Sequence, residues 1–342
     1  MSTLPAVLEK YRIEIDAELK SVLAERKSPL YDMMRYHLGW IDENGYPQQG
    51  LSGKALRPTL CLLACEAVGG EYQQALPAAA AIELVHNYSL IHDDIQDDDR
   101  ERRHRPTVWS IWGKPQAINA GTAMRLLANI SLLRLEGCGV PLEKQWRIQH
   151  LLDETSLRLI EGQYLDISYE NRFDITVSDY LKMVEGKTAS LIACAMEVGA
   201  LLGTDDPELI ESFRSIGKNL GFAFQIRDDL LGIWGNKEET GKPLASDIRH
   251  RKKTLPIVYA LEKAHDGLKE ELLNIYGNGA LDDGAVAAVL RALEANGARA
   301  MSQEMTQKFC REAGQAVSRL ALAPSGKHDL QSLVSFVMER TS

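Results

Sequence analysis

Apolar residues recur at helical spacing through nearly all of this 342-residue chain, and β-branched alternation nowhere persists long enough to build a sheet. That pattern confines the chain to an all-α fold. The spacing predicts helices over residues 5–27, from Arg57-Pro58 onward, and over 73–97, 115–136, 143–168, 176–201, 206–234, 254–275, 282–296 and 300–320, with a short one near the C-terminus. A loop rich in glycine and proline, about 39–53, follows the first. The other breaks, such as Gly69-Gly70, Arg105-Pro106 and Gly235 to Pro243, are too short to read as interdomain linkers. The expectation is a single domain over residues 1–342, one bundle of long, mostly antiparallel helices around a central cavity.

Two aspartate clusters end apolar helical runs: Asp93-Asp94-Ile95-Gln96-Asp97 and Asp228-Asp229. Asp93 and Asp97, at i and i+4, project from one face with Cβ atoms roughly 5–6 Å apart, within reach of one hard cation or a close pair of them. Magnesium usually takes one or two carboxylates plus substrate phosphates, so two such clusters suggest a diphosphate held by metals between helices. A lone acidic run is more often a solvated helix face. Here an apolar lead-in from Ile82 to His92 and a basic tail of Arg100, Arg102, Arg103 and Arg105 set the first cluster apart.

A formal net charge of -9, with the positive charges dispersed among acids, argues against general nucleic-acid binding. Cys61, Cys65, Cys138, Cys194 and Cys310 lack CxxC spacing and lie in apolar surroundings, so they read as free core thiols of a reducing compartment. The N-terminal stretch has no signal-peptide core, and no segment approaches the ~18 apolar residues of a membrane span. The expectation is a cytoplasmic protein without a transmembrane segment.

The runs Leu90 to Asp97, Arg102-Arg103, Phe224 to Asp229 and Lys252-Lys253-Thr254-Leu255-Pro256 resemble the trans-isoprenyl diphosphate synthases, or polyprenyl synthetases, over roughly residues 50–260. The resemblance implies an all-α homodimer that uses magnesium to condense isopentenyl diphosphate head-to-tail with an allylic diphosphate. It implies that Asp93 and Asp97 hold two magnesium ions and Asp228 a third, with Asp94, Asp229 and Asp166 in support. Lys187, Lys242 and Arg102 would neutralise the allylic diphosphate. Gln163 and Asp166 match the family's Glu-Gly-Gln-x-x-Asp segment and Gln225 precedes the second cluster, which places all three at the mouth of the site. Gly53 to Pro58 resembles the Gly-Lys-Arg-x-Arg-Pro element for isopentenyl diphosphate, with Lys54, Arg57, His86 and Arg103 as its binding candidates. The chemistry agrees: an allylic diphosphate ionises when metal ions and cationic side chains stabilise the departing charge in a water-poor site. No side chain stands out as a base, and in the family the released diphosphate is thought to take the proton.

Four positions depart from the family pattern: Ala55 for an arginine, His104 for a glycine, Thr122 for an aspartate, and Gly232 where the second DDxxD motif ends in aspartate. Asp247, in the nearby loop, is a candidate for the missing charge. Product length should be set on the helix that carries Asp93. Ser89, four residues back, is small, while Tyr88 lies about 7.5 Å lower along the axis and could block extension. That pattern resembles the geranylgeranyl-type (C20) synthases, with farnesyl-type (C15) a close second. Two alternatives stand beside this reading: a terpene cyclase of the same fold, which needs no isopentenyl site, and a non-catalytic regulatory subunit.

Overall fold

The computed structural model describes residues 6–48, 53–235, 244–277 and 281–339. These are helical almost throughout, and the only paired strands among them are Glu101–Arg102 and Arg105–Pro106, an antiparallel hairpin. By backbone contacts the chain divides into two compact units.

In the unit formed by Ala6–Glu154 and Ala195–Ile210, the Leu76–Gln96 helix is buried along most of its length. Pro77 sits in its first turn, where a missing N–H removes no helical bond. Ala78 to Ala81 present only methyl groups, which lets the Arg12–Leu23, Leu56–Ala67 and Lys114–Leu132 helices pack against it. The last of these comes close at Gly121, where a Cβ would lie 2.5 Å from the His92 ring. Gly203 repeats the device: a Cβ there would lie 2.6 Å from the Cys65 carbonyl oxygen, so the end of the Ser190–Gly203 helix rests on the Leu56–Ala67 backbone.

The other unit, Thr155–Cys194 with Glu211 onward, holds two apolar clusters. One gathers Tyr169, Tyr180, Val184, Ile226 and Leu255 beside Phe222, whose ring stacks on Phe309 at 4.8 Å. The second gathers Ile233, Ile248, Leu261, Tyr276 and Leu293. The Pro207–Trp234 helix feeds both, because Phe222, Ile226 and Ile233 recur at helical spacing.

Several boundaries differ from expectation. The first helix is two, Ala6–Lys10 and Arg12–Leu23, parted at Tyr11, whose φ of -109° and ψ of 3° leave the helical region. Pro29–His37 is a helix the periodicity did not isolate, capped by Ser28, whose hydroxyl accepts the Leu30 N–H at 3.4 Å. Extended backbone at Ala264 splits 254–275 into Leu255–Lys263 and Asp266–Gly277. The stretch expected over 176–201 contains a π-helical turn, Glu185–Ala189. Val177–Gly203 as a whole is long and apolar enough by composition to cross a membrane, which the count of apolar residues had not anticipated; 72% of its apolar window is buried inside the fold.

Candidate active site

The first acidic cluster closes the Leu76–Gln96 helix. Asp97 is its C-cap, donating its N–H to the Asp93 carbonyl oxygen at 2.9 Å, and Asp98 turns the chain through φ +53°. A helix C-terminus is already partly negative, so carboxylates gathered there need cations. Arg102 supplies one: its Nε donates to Asp94 Oδ1 at 2.6 Å and its Nη2 to Asp93 Oδ2 at 3.3 Å. The Asp94 side chain is only 1% exposed, and burial pushes its carboxyl up to about 7 against the pull of Arg102. Asp94 therefore anchors the arginine from below. Asp93 and Asp97, both half-buried, are the accessible pair.

Arg103 and His104 form the turn of the hairpin with φ of +53° and +60°, as a two-residue type I′ turn requires. This accounts for the glycine preference at position 104. It also sends neighbouring arginines to different places. Arg102 reaches the aspartates, while the Arg103 guanidinium lies against Gly53, where a Cβ would come within 2.6 Å of Nη2. Ala55, in the left-handed region at φ +46°, opens the Leu56–Ala67 helix, and Arg57 in its first turn stands 3.3 Å from the His86 ring through Nη1 and Nε2. Burial and the guanidiniums of Arg57, Arg103 and Arg102 hold the His86 imidazole well below its ordinary pKa, so it is neutral. Lys54 is half-buried in the same segment.

This neighbourhood holds groups the sequence reading did not single out. Glu83, 7% exposed, accepts the Asn87 Nδ2–H at 3.0 Å; burial raises its pKa while Arg57 and Arg103 oppose the rise. With Asn87, Arg103, Arg12, Asp16 and Trp40 it lines a small pocket. Burial, with Arg102 and Arg103, pushes His37 down to about 3. An acid inside the apolar run Ile82-Glu83-Leu84 was the available signal for Glu83.

In the other unit, Asp228 is exposed and Asp229 buried. Asp229 Oδ2 accepts the Tyr180 hydroxyl at 2.6 Å and the Leu255 N–H at 2.8 Å, and Oδ1 accepts the Gln225 Nε2–H at 3.0 Å. Burial still pushes its carboxyl up to about 7. Gln225 Oε1 in turn accepts the Thr188 hydroxyl at 2.7 Å. Thr188 and Lys187 lie on the π-helical turn, which touches the Leu142–Tyr169 helix at two glycines. A Cβ on Gly186 would lie 2.7 Å from the Arg158 carbonyl oxygen, and one on Gly162 would run into the Lys187 backbone nitrogen. The contact lets the Lys187 ammonium pair with Asp166, one turn after the half-buried Gln163.

The sequence profile of the polyprenyl synthetase family matches residues 40–293. The chain belongs to the polyprenyl synthetase family. It is 40% identical over 324 residues to a (2E,6E)-farnesyl diphosphate synthase of Mycobacterium tuberculosis, covering 93% of this chain and 88% of that one. A geranylgeranyl diphosphate synthase of the same organism is 41% identical over 265 residues, covering 78% and 75%. The crystal structure of a polyprenyl synthetase from Streptomyces coelicolor A3(2) superposes with a TM-score of 0.89 at 38% identity, over 97% of this chain and 98% of that one.

Within this polyprenyl synthetase the Gly232 departure has a structural counterpart. The Asp247 carboxylate, from the short Ser246–Arg249 helix, occupies the space a Gly232 side chain would enter, one turn beyond Asp228. Lys242 lies outside the described residues. Among the described residues no three His, Cys, Asp or Glu side chains form a closed cage for a metal. The donors are hard carboxylate oxygens offered singly or in pairs. That set fits magnesium, whose remaining positions are filled by water and phosphate oxygens.

Proposed function

We propose that this chain is a magnesium-dependent prenyltransferase that condenses isopentenyl diphosphate with an allylic diphosphate, head to tail, into a short-chain prenyl diphosphate of C20 or C15 length. One observation carries the reading: the hairpin places Arg102 on the first acidic cluster and Arg103 beside Gly53, near Arg57 and His86. A condensing enzyme needs two anion sites side by side. A cyclase acting on one allylic diphosphate needs only the first, and a regulatory subunit would have no use for a complete acidic motif.

In this reading Asp93, Asp97 and Asp228 would hold three magnesium ions, which supply positive charge to the departing diphosphate. Asp94 and Asp229, turned inward, support the ligands rather than face the ions, and Asp166 holds Lys187. Arg102, Lys187 and Lys242 would bind the allylic diphosphate, and Gln163 and Gln225 would line the mouth of that site. Lys54, Arg57, His86 and Arg103 orient the second diphosphate, so that the double bond of isopentenyl diphosphate meets the allylic carbon in a geometry that lowers the entropic barrier. The proton lost after bond formation leaves to the released diphosphate.

Tyr88 is 4% exposed, with its ring edge-on to His92 at 5.8 Å, and Ser89 donates to the His86 carbonyl oxygen at 2.7 Å. We read Tyr88 as the floor that limits growth. Tyr88→Ala should lengthen the main product by at least one C5 unit on chromatography of dephosphorylated products. Unchanged lengths would remove the assignment. None of the five cysteines is in a disulfide, in keeping with a cytoplasmic setting. The exposed Ile118, Leu126, Ile130 and Leu133 on and just after the Lys114–Leu132 helix suit a homodimer.

The function is tested with the purified protein, labelled isopentenyl diphosphate, magnesium and an allylic primer. Label incorporated into a longer acyclic diphosphate is the expected result. A cyclic hydrocarbon from the allylic diphosphate alone would transfer the chain to the cyclases.

A further inference from the structure

The second acidic cluster is held by a chain of side-chain hydrogen bonds that begins away from the helix bearing it. Asp228 and Asp229 are neighbours on that helix, about 100° apart around its axis, so turning one inward turns the other outward. Three donors hold Asp229 in the inward position. Leu255 contributes a backbone N–H, and Gln225 lies one turn earlier on the Asp229 helix itself. The Tyr180 hydroxyl is the one side-chain donor among them that comes from another helix, Val177–Val184. The Tyr180 ring is 2% exposed within the cluster of Val184, Ile226 and Leu255, so a phenylalanine would pack as well. Only the hydroxyl is specific to Asp229.

The same chain continues to the π-helical turn. Gln225 is engaged at both ends of its amide, donating to Asp229 and accepting from Thr188, the residue after Lys187. A π turn carries an extra residue relative to the α-helix around it. The Thr188 hydroxyl pins it to Gln225, and Gln225 is pinned by Asp229.

We propose that Tyr180 is a positioning residue: by holding Asp229 in the core through its hydroxyl, it sets the outward stance of Asp228 and, through Gln225 and Thr188, the place of Lys187. The proposal rests on the prenyltransferase reading, within which it assigns a function to a residue that touches neither diphosphate. Its effect falls on the metal and allylic side, leaving the isopentenyl side untouched.

The test is a double-mutant cycle on the 342-residue chain with Tyr180→Phe, Asp229→Ala and the pair. Tyr180→Phe should lower kcat at least tenfold and raise the magnesium concentration for half-maximal activity several-fold, with the KM for isopentenyl diphosphate within twofold of wild type. The pair should be no less active than Asp229→Ala alone, because no acceptor is then left at 229 for the hydroxyl to hold. Thr188→Val, which cuts the chain at its other end, should raise the KM for the allylic substrate and again spare the isopentenyl KM. If Tyr180→Phe lowers only the melting temperature, or the losses multiply independently in the pair, the residue is structural and the proposal is overturned. Calorimetric titration of Mg²⁺ in the presence of pyrophosphate separates this from failure of the broader reading. Wild type without metal uptake removes the prenyltransferase, whereas normal uptake in wild type and in Tyr180→Phe alike removes the role of Tyr180 alone.

Discussion

His37 and His86 are both held neutral by burial among arginine guanidiniums, and this has a measurable consequence. In the unfolded chain each titrates near its ordinary value of about 6.5. As pH falls below that value the unfolded chain takes up protons that the native state refuses, so stability present above pH 6.5 is lost progressively, for His37 down to about 3. The melting temperature should therefore fall on acidification, with each histidine contributing a slope of up to ~1.4 kcal/mol per pH unit. His37→Gln should flatten that slope, and an identical slope in the variant would contradict the account. At this scale the sequence disclosed which residues are candidates better than how they stand. The i, i+4 spacing of Asp93 and Asp97 was readable, as was the motif around Arg57. That Asp94 and Asp229 face inward was not, because neighbouring acids on a helix look alike until packing chooses between them. Glu83 went unnoticed for a related reason: a single polar residue in an apolar run is most often a satisfied core group. His37 stands in a mixed stretch beside Arg35 and Tyr36 that gives no such signal, and only the guanidiniums brought by folding give these two their setting.

The elements that position the chemistry meet through missing side chains. Gly162 and Gly186 allow the Leu142–Tyr169 helix to touch the π-helical turn, backbone to backbone. Gly162→Ala should destabilise the protein by ~1–3 kcal/mol, the usual effect of overpacking. It should also lower activity more than that loss explains, since the added methyl displaces the Lys187 backbone. Thermal unfolding and kcat, measured on the same preparation, check both. A fully active, equally stable variant would show that the contact is not needed. The long helices were legible because their periodicity persists over many turns. The breaks at Tyr11 and Ala264 were not, since neither position carries glycine or proline, and the π turn preserves an apolar pattern while inserting a residue. The Pro29–His37 helix did have a written signal, Ser28-Pro29, a capping residue followed by proline at the first helical position.

For the molecule as a whole, exposed apolar surface and the two-substrate reaction make separate predictions. Ile118, Leu126, Ile130 and Leu133 occupy one side of the Lys114–Leu132 helix and the turn after it, with Leu126 59% and Leu133 68% exposed. Light scattering after size exclusion should give twice the 38.0 kDa chain mass, and Leu126→Glu should shift the protein toward the monomer. A monomeric wild type would leave that surface without a partner of its own kind. The fold class was legible in full, since nothing but helix fits the pattern. The homodimer was an expectation of the family resemblance alone, because an apolar stripe reads the same whether it meets the core or a sister chain. The most direct test of the central claim is to count isopentenyl units consumed per allylic diphosphate, using labelled isopentenyl diphosphate with dimethylallyl, geranyl or farnesyl diphosphate and Mg²⁺. Whole-number incorporation into acyclic C15 or C20 diphosphates, abolished by chelation of the metal, is the expected result. Turnover of the allylic diphosphate with no isopentenyl label in any product would contradict it.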